Sequence, residues 1–279
     1  MLSRRKIMIT GHAGFIGSHL LKFLEEDYDI VPYDLLEGDD ILDRDNLAKK
    51  MKGCDFVVHL GAFASIIDSW KNPSYCYDNN VTGTSNVVEE AIKQNVKRII
   101  FASSCAVRQP VENPYAASKA MCEGILQVRQ KEIPSIAFRF LNVYGKNQNP
   151  SYGNVMPNFI NGIQKGKITV FGDGNQRRDF IHVSDICRAI KIAIEAEYNP
   201  KFPRYACMDL GTGLTVSVNE LAYILMGMMG KIAKIENGPP RRELRTACAD
   251  TKMMTELFKF EPKVNLVSGL RRLLDENRD

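Results

Sequence analysis

The run Lys6-Ile7-Met8-Ile9-Thr10 leads without a break into Gly11-His12-Ala13-Gly14-Phe15-Ile16-Gly17, and then into an amphipathic segment carrying Leu20, Leu21 and Leu24. A buried strand that turns through spaced glycines into a helix narrows the choice of fold sharply. Gly11 permits the tight turn, Gly14 lets the backbone approach a pyrophosphate, and Gly17 lets the helix pack close to the strand. The helix N-terminus adds free N–H groups and a partial positive charge, which completes an anion cradle. The spacing is G-x-x-G-x-x-G rather than the commoner G-x-G-x-x-G. The glycines alone are therefore weak evidence, and the flanking strand and helix supply the context.

The next strand-like run, Asp29-Ile30-Val31-Pro32-Tyr33, ends at Asp34. A carboxylate there can accept both ribose hydroxyls of an adenosine and repels a 2′-phosphate, which favours NAD over NADP. Aspartate also ends strands because turns favour it, so both roles stay open. Pro32 lacks an N–H and is unusual within a parallel strand.

The 279-residue chain suffices for one large or two ordinary domains, and its 44% hydrophobic and 25% charged residues suit a globular protein. No apolar run approaches the roughly 20 residues of a membrane span, and the basic start, residues 1–6, leads straight into the first strand. The expected location is cytoplasmic, with no membrane partner. Seven scattered cysteines and four scattered histidines form no metal-ligand spacing, so no metal is expected and the thiols are read as free. A net charge of +4 is too mild to imply nucleic acid. The basic residues are unclustered except at Arg241-Arg242-Glu243-Leu244-Arg245.

Strand and helix alternate through residues 1–145, the pattern of an α/β, doubly wound parallel Rossmann sheet. Residues 55–60, 98–103 and 136–141 read as nearly continuous apolar strands covered on both faces. Helices are predicted over about 83–94 and 115–131. After Tyr144 the composition becomes loop-like, through Gly153. A smaller C-terminal substrate-binding domain, 146–279, is expected to hold a strand at 168–171 and a helix at about 217–229. Segments near 178–211 are expected to return to the sheet.

Tyr115-Ala116-Ala117-Ser118-Lys119 spans one helical turn, so the phenol and the ammonium face the same side. Lowering a phenol from about 10 to about 7 takes roughly 4 kcal/mol. A cation about 4 Å away at an effective dielectric of about 20 supplies that much; Lys119 is expected farther off, and a bound nicotinamide ring would add a second positive charge. The pair can therefore form a tyrosinate general base, while an isolated Y-x-x-x-K match is more often an exposed helix face. Ser103 and Ser104 end the preceding strand, where ligands bind in open α/β sheets, so Ser104 can bridge a substrate hydroxyl and Tyr115.

With these residues in view, the chain resembles the extended short-chain dehydrogenases/reductases, in their nucleotide-sugar epimerase/dehydratase branch. The likeness runs over nearly the whole chain. Asp40-Ile41 resembles the adenine-reading pair, and His59-Leu60-Gly61-Ala62-Phe63-Ala64 resembles the family's H-L-A-A-x-A strand end. Asn80-Val81-Thr82-Gly83-Thr84 resembles N-V-x-G-T, and residues 139–145 resemble R-x-x-N-V-Y-G. Residues 171–180 resemble F-G-D-G-x-Q-x-R-D-F.

The resemblance implies a NAD-dependent epimerase acting on a nucleotide sugar, at C4 of a UDP-hexose, by transient oxidation and hydride return. A reductase, a decarboxylase and a non-catalytic dinucleotide sensor are the other readings. By resemblance Ser104, Tyr115 and Lys119 are catalytic. Gly11, Gly14, Phe15, Ile16, Gly17, Asp34, Asp40, Ile41, Leu60, Gly61, Ala62, Ala64, Asn80, Tyr115, Lys119 and Leu141 contact NAD. Ser104, Asn142, Arg178 and Arg241 contact the substrate, the arginines at its diphosphate. Taken without the motif, Arg178 and Arg241 are better read as surface salt bridges, and Asn142 suits a turn. A homodimer through the helices near 83–94 and 115–131 is also implied.

Two departures stand out. Only residues 105–114 separate Ser104 from Tyr115, where relatives carry a longer loop beside the sugar. Cys105-Ala106 replaces the Asp-Glu pair of the sugar 4,6-dehydratases, which disfavours dehydration.

Overall fold

The computed structural model describes residues 4–109, 111–152, 154–196, 203–241 and 243–276; residues 1–3, Gly153 and Arg242, named above, lie outside them. In the first half, β1 (Lys6–Thr10), β2 (Asp29–Tyr33), β3 (Phe56–His59), β4 (Arg98–Ser104) and β5 (Ser135–Phe140) alternate with helices. These are α1 (Phe15–Leu24), α2 (Arg44–Met51), α3 (Ile66–Lys71), α4 (Pro73–Tyr77), α5 (Gly83–Lys93) and α6 (Pro114–Val128). The second half is more fragmented. It holds β6 (Asn142–Tyr144), β7 (Lys167–Phe171), β8 (Arg177–Arg178), β9 (Phe180–His182), β10 (Tyr205–Leu210), β11 (Val216–Ser217), β12 (Lys234–Gly238) and β13 (Thr246–Ala247). Its helices are α7 (Val155–Gln164), α8 (Val183–Glu195), α9 (Val218–Met229), α10 (Lys252–Phe258) and α11 (Leu266–Glu276).

Six strands form one parallel sheet in the order β10-β5-β4-β3-β1-β2. Both of its faces are apolar because the central strands carry runs of consecutive apolar residues rather than strictly alternating ones. Ile7 and Ile9 point into the layer shared with α1 and α8, while Met8 between them points into the layer shared with α2, α5 and α6. Pro32 fits because β2 is the edge strand: β1 pairs with it on one side, and its missing N–H faces no neighbour. The predicted helix over 115–131 ends at Val128 and continues as a 3-10 turn, Arg129–Lys131.

β10 enters the sheet beside β5, and α8 covers the face next to it. Buried Arg98, at the start of β4, donates to the carbonyls of Ala193 (2.6 Å) and Ala196 (2.8 Å) at the end of α8, where unpaired helix carbonyls favour a cation. A separate core gathers α7, α9 and α11 around Tyr144, Phe159, Leu221 and Leu270. Buried Asp185 of α8 accepts the N–H groups of Lys263 and Val264, tying the segment before α11 to the body of the protein.

All seven cysteines are free thiols. Among the described residues no helix is long and apolar enough to cross a membrane.

The chain runs from β1 outward to β2 and then back across β1 to β3, so its direction reverses at the carboxyl end of β1. Crevices at such reversals are where open α/β sheets take ligands. The turn there leaves no space for side chains. A Cβ at Gly17 would collide with the Gly11 carbonyl oxygen and lie 2.6 Å from the His12 Cα. Gly17→Ala is expected to lower the unfolding free energy by about 1–3 kcal/mol, read as a lower urea midpoint at unchanged slope.

Candidate functional site

A cleft of about 1610 Å³ opens along the carboxyl ends of β2, β1, β3, β4 and β5. That exceeds the roughly 300–1,000 Å³ of a site for one small ligand, and suits two ligands placed end to end.

Gly11 has φ +74°, and a Cβ on it would lie 2.6 Å from the Gly61 nitrogen, so the first turn and the chain after β3 touch backbone to backbone. Gly14 is the N-cap of α1 and makes no side-chain cap bond, which leaves the first helical turn at Phe15, Ile16 and Gly17 facing the cleft. Asp34 accepts the Ala13 N–H (3.0 Å) on Oδ2 and the Leu36 N–H (2.9 Å) on Oδ1. His12 Nε2 pairs with Glu37 Oε1 at 3.1 Å. The turn after β2 is thus strapped to the glycine loop twice. Asp40 and Ile41 follow along the same wall, and Leu60, Gly61, Ala62 and Ala64 continue it beyond β3.

Asn80 is not among the residues lining the cleft. It is buried behind them, accepts the Phe63 N–H (2.7 Å), and donates to the Phe63 carbonyl (3.2 Å) and to Ser118 Oγ (2.9 Å). Its polar atoms hold the 61–64 segment, which does line the cleft, in shape. His59 is a residue that sequence reasoning passed over. It bridges Thr10 Oγ1 (2.7 Å) and Thr84 Oγ1 (3.1 Å), and burial, helped by the Lys119 ammonium, drives its pKa down to about 3. It is therefore a neutral spacer. Its sequence signals were a histidine ending an apolar strand and its place at the head of the stretch resembling H-L-A-A-x-A.

Tyr115 and Lys119 stand on the first turns of α6. Asn113 caps that helix by accepting the Ala116 N–H (2.8 Å), and Pro114 occupies the first turn. Buried Glu123, one turn below Lys119, accepts Ser103 Oγ (2.5 Å) and both ends of the Arg139 fork (2.9 and 2.6 Å). This clamps α6 to β4 and β5. Lys119 Nζ donates to the Ala102 carbonyl (2.7 Å) and lies 4.6 Å from the Phe101 ring centroid.

The protein's own groups set the starting electrostatics of the pair. Burial pushes the Tyr115 phenol up to about 12, with a Ser104 hydrogen bond pulling the other way. Burial also pulls Lys119 downward. The protein's own groups thus leave Tyr115 a neutral phenol, because the ammonium is directed to a backbone carbonyl.

Ser104 caps the 3-10 turn Cys105–Arg108 by accepting the Ala106 N–H (3.2 Å). Arg108 anchors this short connection, donating to the Cys248 carbonyl (2.9 Å) and pairing with Asp209. Burial raises the Cys105 thiol, so it is poorly suited to acid–base work.

Leu141, Asn142, Arg178 and Arg241 also line the cleft. Asn142 donates through Nδ2 to the Asp179 carbonyl (3.1 Å). Arg178, with its side chain 11% exposed, pairs with Glu243 (2.8 Å), so a salt bridge and a place in the cleft coexist. Arg241 stacks over the Phe171 ring at 3.5 Å. The fully buried Asp179 carboxylate takes N–H groups from Thr212, Gly213 and Ala249, and the Thr212 hydroxyl. It ties the segment that carries Arg178 to residues 212–213 and to Ala249. Among the described residues no His, Cys, Asp or Glu cluster is arranged to hold a metal.

Comparing the protein with its Tyr115→Phe variant by near-ultraviolet absorbance is expected to show no tyrosinate from Tyr115 at neutral pH, and its appearance only in strong alkali. A tyrosinate band at neutral pH would contradict the dominance of burial.

The model of the NAD dependent epimerase/dehydratase family matches residues 7–205. A putative UDP-glucose 4-epimerase of Methanocaldococcus jannaschii is 31% identical over 96% of this chain and 97% of its own. Among solved structures, UDP-glucose 4-epimerase of Thermotoga maritima, crystallised with UDP-glucose, superposes with a TM-score of 0.88 at 28% identity, covering 98% of both chains. MoeE5, crystallised with UDP-glucuronic acid and NAD, superposes with a TM-score of 0.89 at 26% identity, covering 98% of this chain and 99% of its own. The chain belongs to the NAD-dependent epimerase/dehydratase family of nucleotide-sugar enzymes, and its Rossmann-type sheet is the family's.

Proposed function

We propose that this protein is a nucleotide-sugar 4-epimerase that inverts C4 of a UDP-hexose. The observation that carries the reading is the joint placement of Ser104, Tyr115 and Lys119 on one cleft whose other end is a glycine cradle. The cradle fits a dinucleotide: Gly11 and Gly17 let the turn close backbone to backbone, and the α1 N-terminus behind it offers uncapped N–H groups to a pyrophosphate. NAD, when bound, accepts and returns a hydride, so the sugar ends with no net oxidation.

The chain's own groups do the rest. Gly14, Phe15, Ile16 and Gly17 would hold the pyrophosphate at the α1 N-terminus. Asp34 has lone pairs left for the adenosine ribose although each oxygen already takes an N–H. Asp40 and Ile41 would flank the adenine, and Leu60, Gly61, Ala62, Ala64 and Leu141 the rest of the cofactor.

Tyr115 Oη would take the proton of the C4 hydroxyl and give it back, with Ser104 bridging the two. Lys119 would orient the cofactor's second ribose and favour the phenolate. Arg178 and Arg241 would hold the diphosphate, a task for which a guanidinium fork is suited. Arg178 is the better placed, being nearly buried and already fixed by Glu243. Dehydration is not proposed: Cys105 is a poor acid and Ala106 carries no proton.

The relatives' sugars support UDP as the nucleotide. The exposed Met121 and Val128 on α6, beside a groove lined by Ser85, Glu89 and Ile125, support the implied homodimer through α5 and α6. A monomer mass in sedimentation at micromolar concentration would remove that part.

Incubating the purified protein with UDP-sugars and following C4 configuration by NMR tests the reaction. Interconversion without net NADH is expected, and Tyr115→Phe should slow it at least about 100-fold while binding persists. Carbon dioxide release or stoichiometric NADH would assign another reaction of the family.

A further inference from the structure

The sugar end of the cleft has a wall that none of the proposed roles uses. The Tyr115 N–H donates to Ser69 Oγ (3.4 Å), which seats α3 against the first turn of α6. The next residue, Trp70, is 63% exposed and lines the cleft. Ile66 and Ile67 stand three and four positions before it, on the same helical face, and are half exposed. On the short connection into α6, Val111 is 91% exposed and also lines the cleft. Large apolar side chains left open inside a cleft mark a ligand contact.

The polar groups beside this wall narrow the ligand further. Gln109 and Asn113 bring carboxamides, and Glu112 brings a carboxylate. Arg108, the cation on this connection, is paired with Asp209. A uronate would set its carboxylate near that of Glu112, a like charge. A plain hexose would press hydroxyls against Trp70 and the isoleucines, where they lose water without gaining partners. An acylamino group suits both features, since its methyl covers apolar surface and its amide meets carboxamides.

We propose that Trp70, with Ile66, Ile67 and Val111, forms a substrate-contacting wall that selects an N-acylated amino-hexose as the sugar. The proposal rests on the epimerase reading and deepens it.

Trp70 is the chain's single tryptophan, so its emission reports this wall alone. The NAD-loaded protein is titrated with UDP, UDP-glucose and UDP-N-acetylglucosamine, and turnover of both sugars is measured. UDP is expected to leave the emission unchanged and UDP-N-acetylglucosamine to shift it. The N-acetyl sugar is expected to have the larger kcat/KM, by roughly tenfold. Trp70→Ala should erase that ratio and Trp70→Phe should keep most of it. Because Trp70 is exposed, neither change threatens the fold. Emission indifferent to the N-acetyl sugar, equal kcat/KM for the two sugars, or a ratio unchanged in Trp70→Ala would overturn the proposal. An emission shift with no inversion at C4 would uphold the wall and defeat the epimerase reading. Inversion of UDP-glucose with a silent Trp70 would do the reverse.

Discussion

The buried carboxylate of Glu123 is the interaction on which the site depends. It receives a hydroxyl from β4 and a two-pronged guanidinium from β5, so the helix carrying Tyr115 and Lys119 cannot rotate or slide on the sheet. Removing one partner of a buried ion pair typically costs about 3–5 kcal/mol, because the other charge is stranded. The hydrogen bond from Arg139 is strong enough to push that guanidinium's pKa upward despite its own desolvation. A residue at the back of the helix thus fixes the geometry at its front.

The same burial that makes the clamp strong works against the chemistry. Tyr115 is held as a phenol, and Lys119 is drawn toward its neutral form. An ammonium directed at a backbone carbonyl does little for a phenol elsewhere on its helix. The protein supplies position, a hydroxyl at Ser104 and a dry surrounding. A further positive charge in the cleft would tip the phenol toward phenolate, which couples acid–base readiness to cofactor occupancy.

The short passage from β4 to α6 has a structural explanation of its own. Arg108 reaches across to Asp209 and Cys248, and a three-residue cap by Ser104 turns the chain at once. Ile66, Ile67 and Trp70 of α3 stand exposed along the same cleft.

Much of the framework was legible in the residues themselves. Periodicity is local: a fully apolar strand and a glycine turn into a helix announce themselves within about ten residues, because backbone sterics and burial act at that range. The sheet, its strands and the positions of Tyr115, Lys119 and Ser104 followed from such signals. What sequence could not carry were pairings between distant segments. Asn80 matched a cofactor motif, yet its amide is committed to Phe63 and Ser118. Arg178 read as a diphosphate ligand by its motif and as a salt bridge without it, and it lines the cleft while bonded to Glu243. The phenol's pKa looked like a matter of Lys119 four residues away, and the fold gave the larger voice to desolvation. Local order was written in the chain, whereas which charges are dry, which are paired and which face the cleft was decided only when segments far apart in sequence were packed together, because desolvation and pairing are properties of neighbours in space.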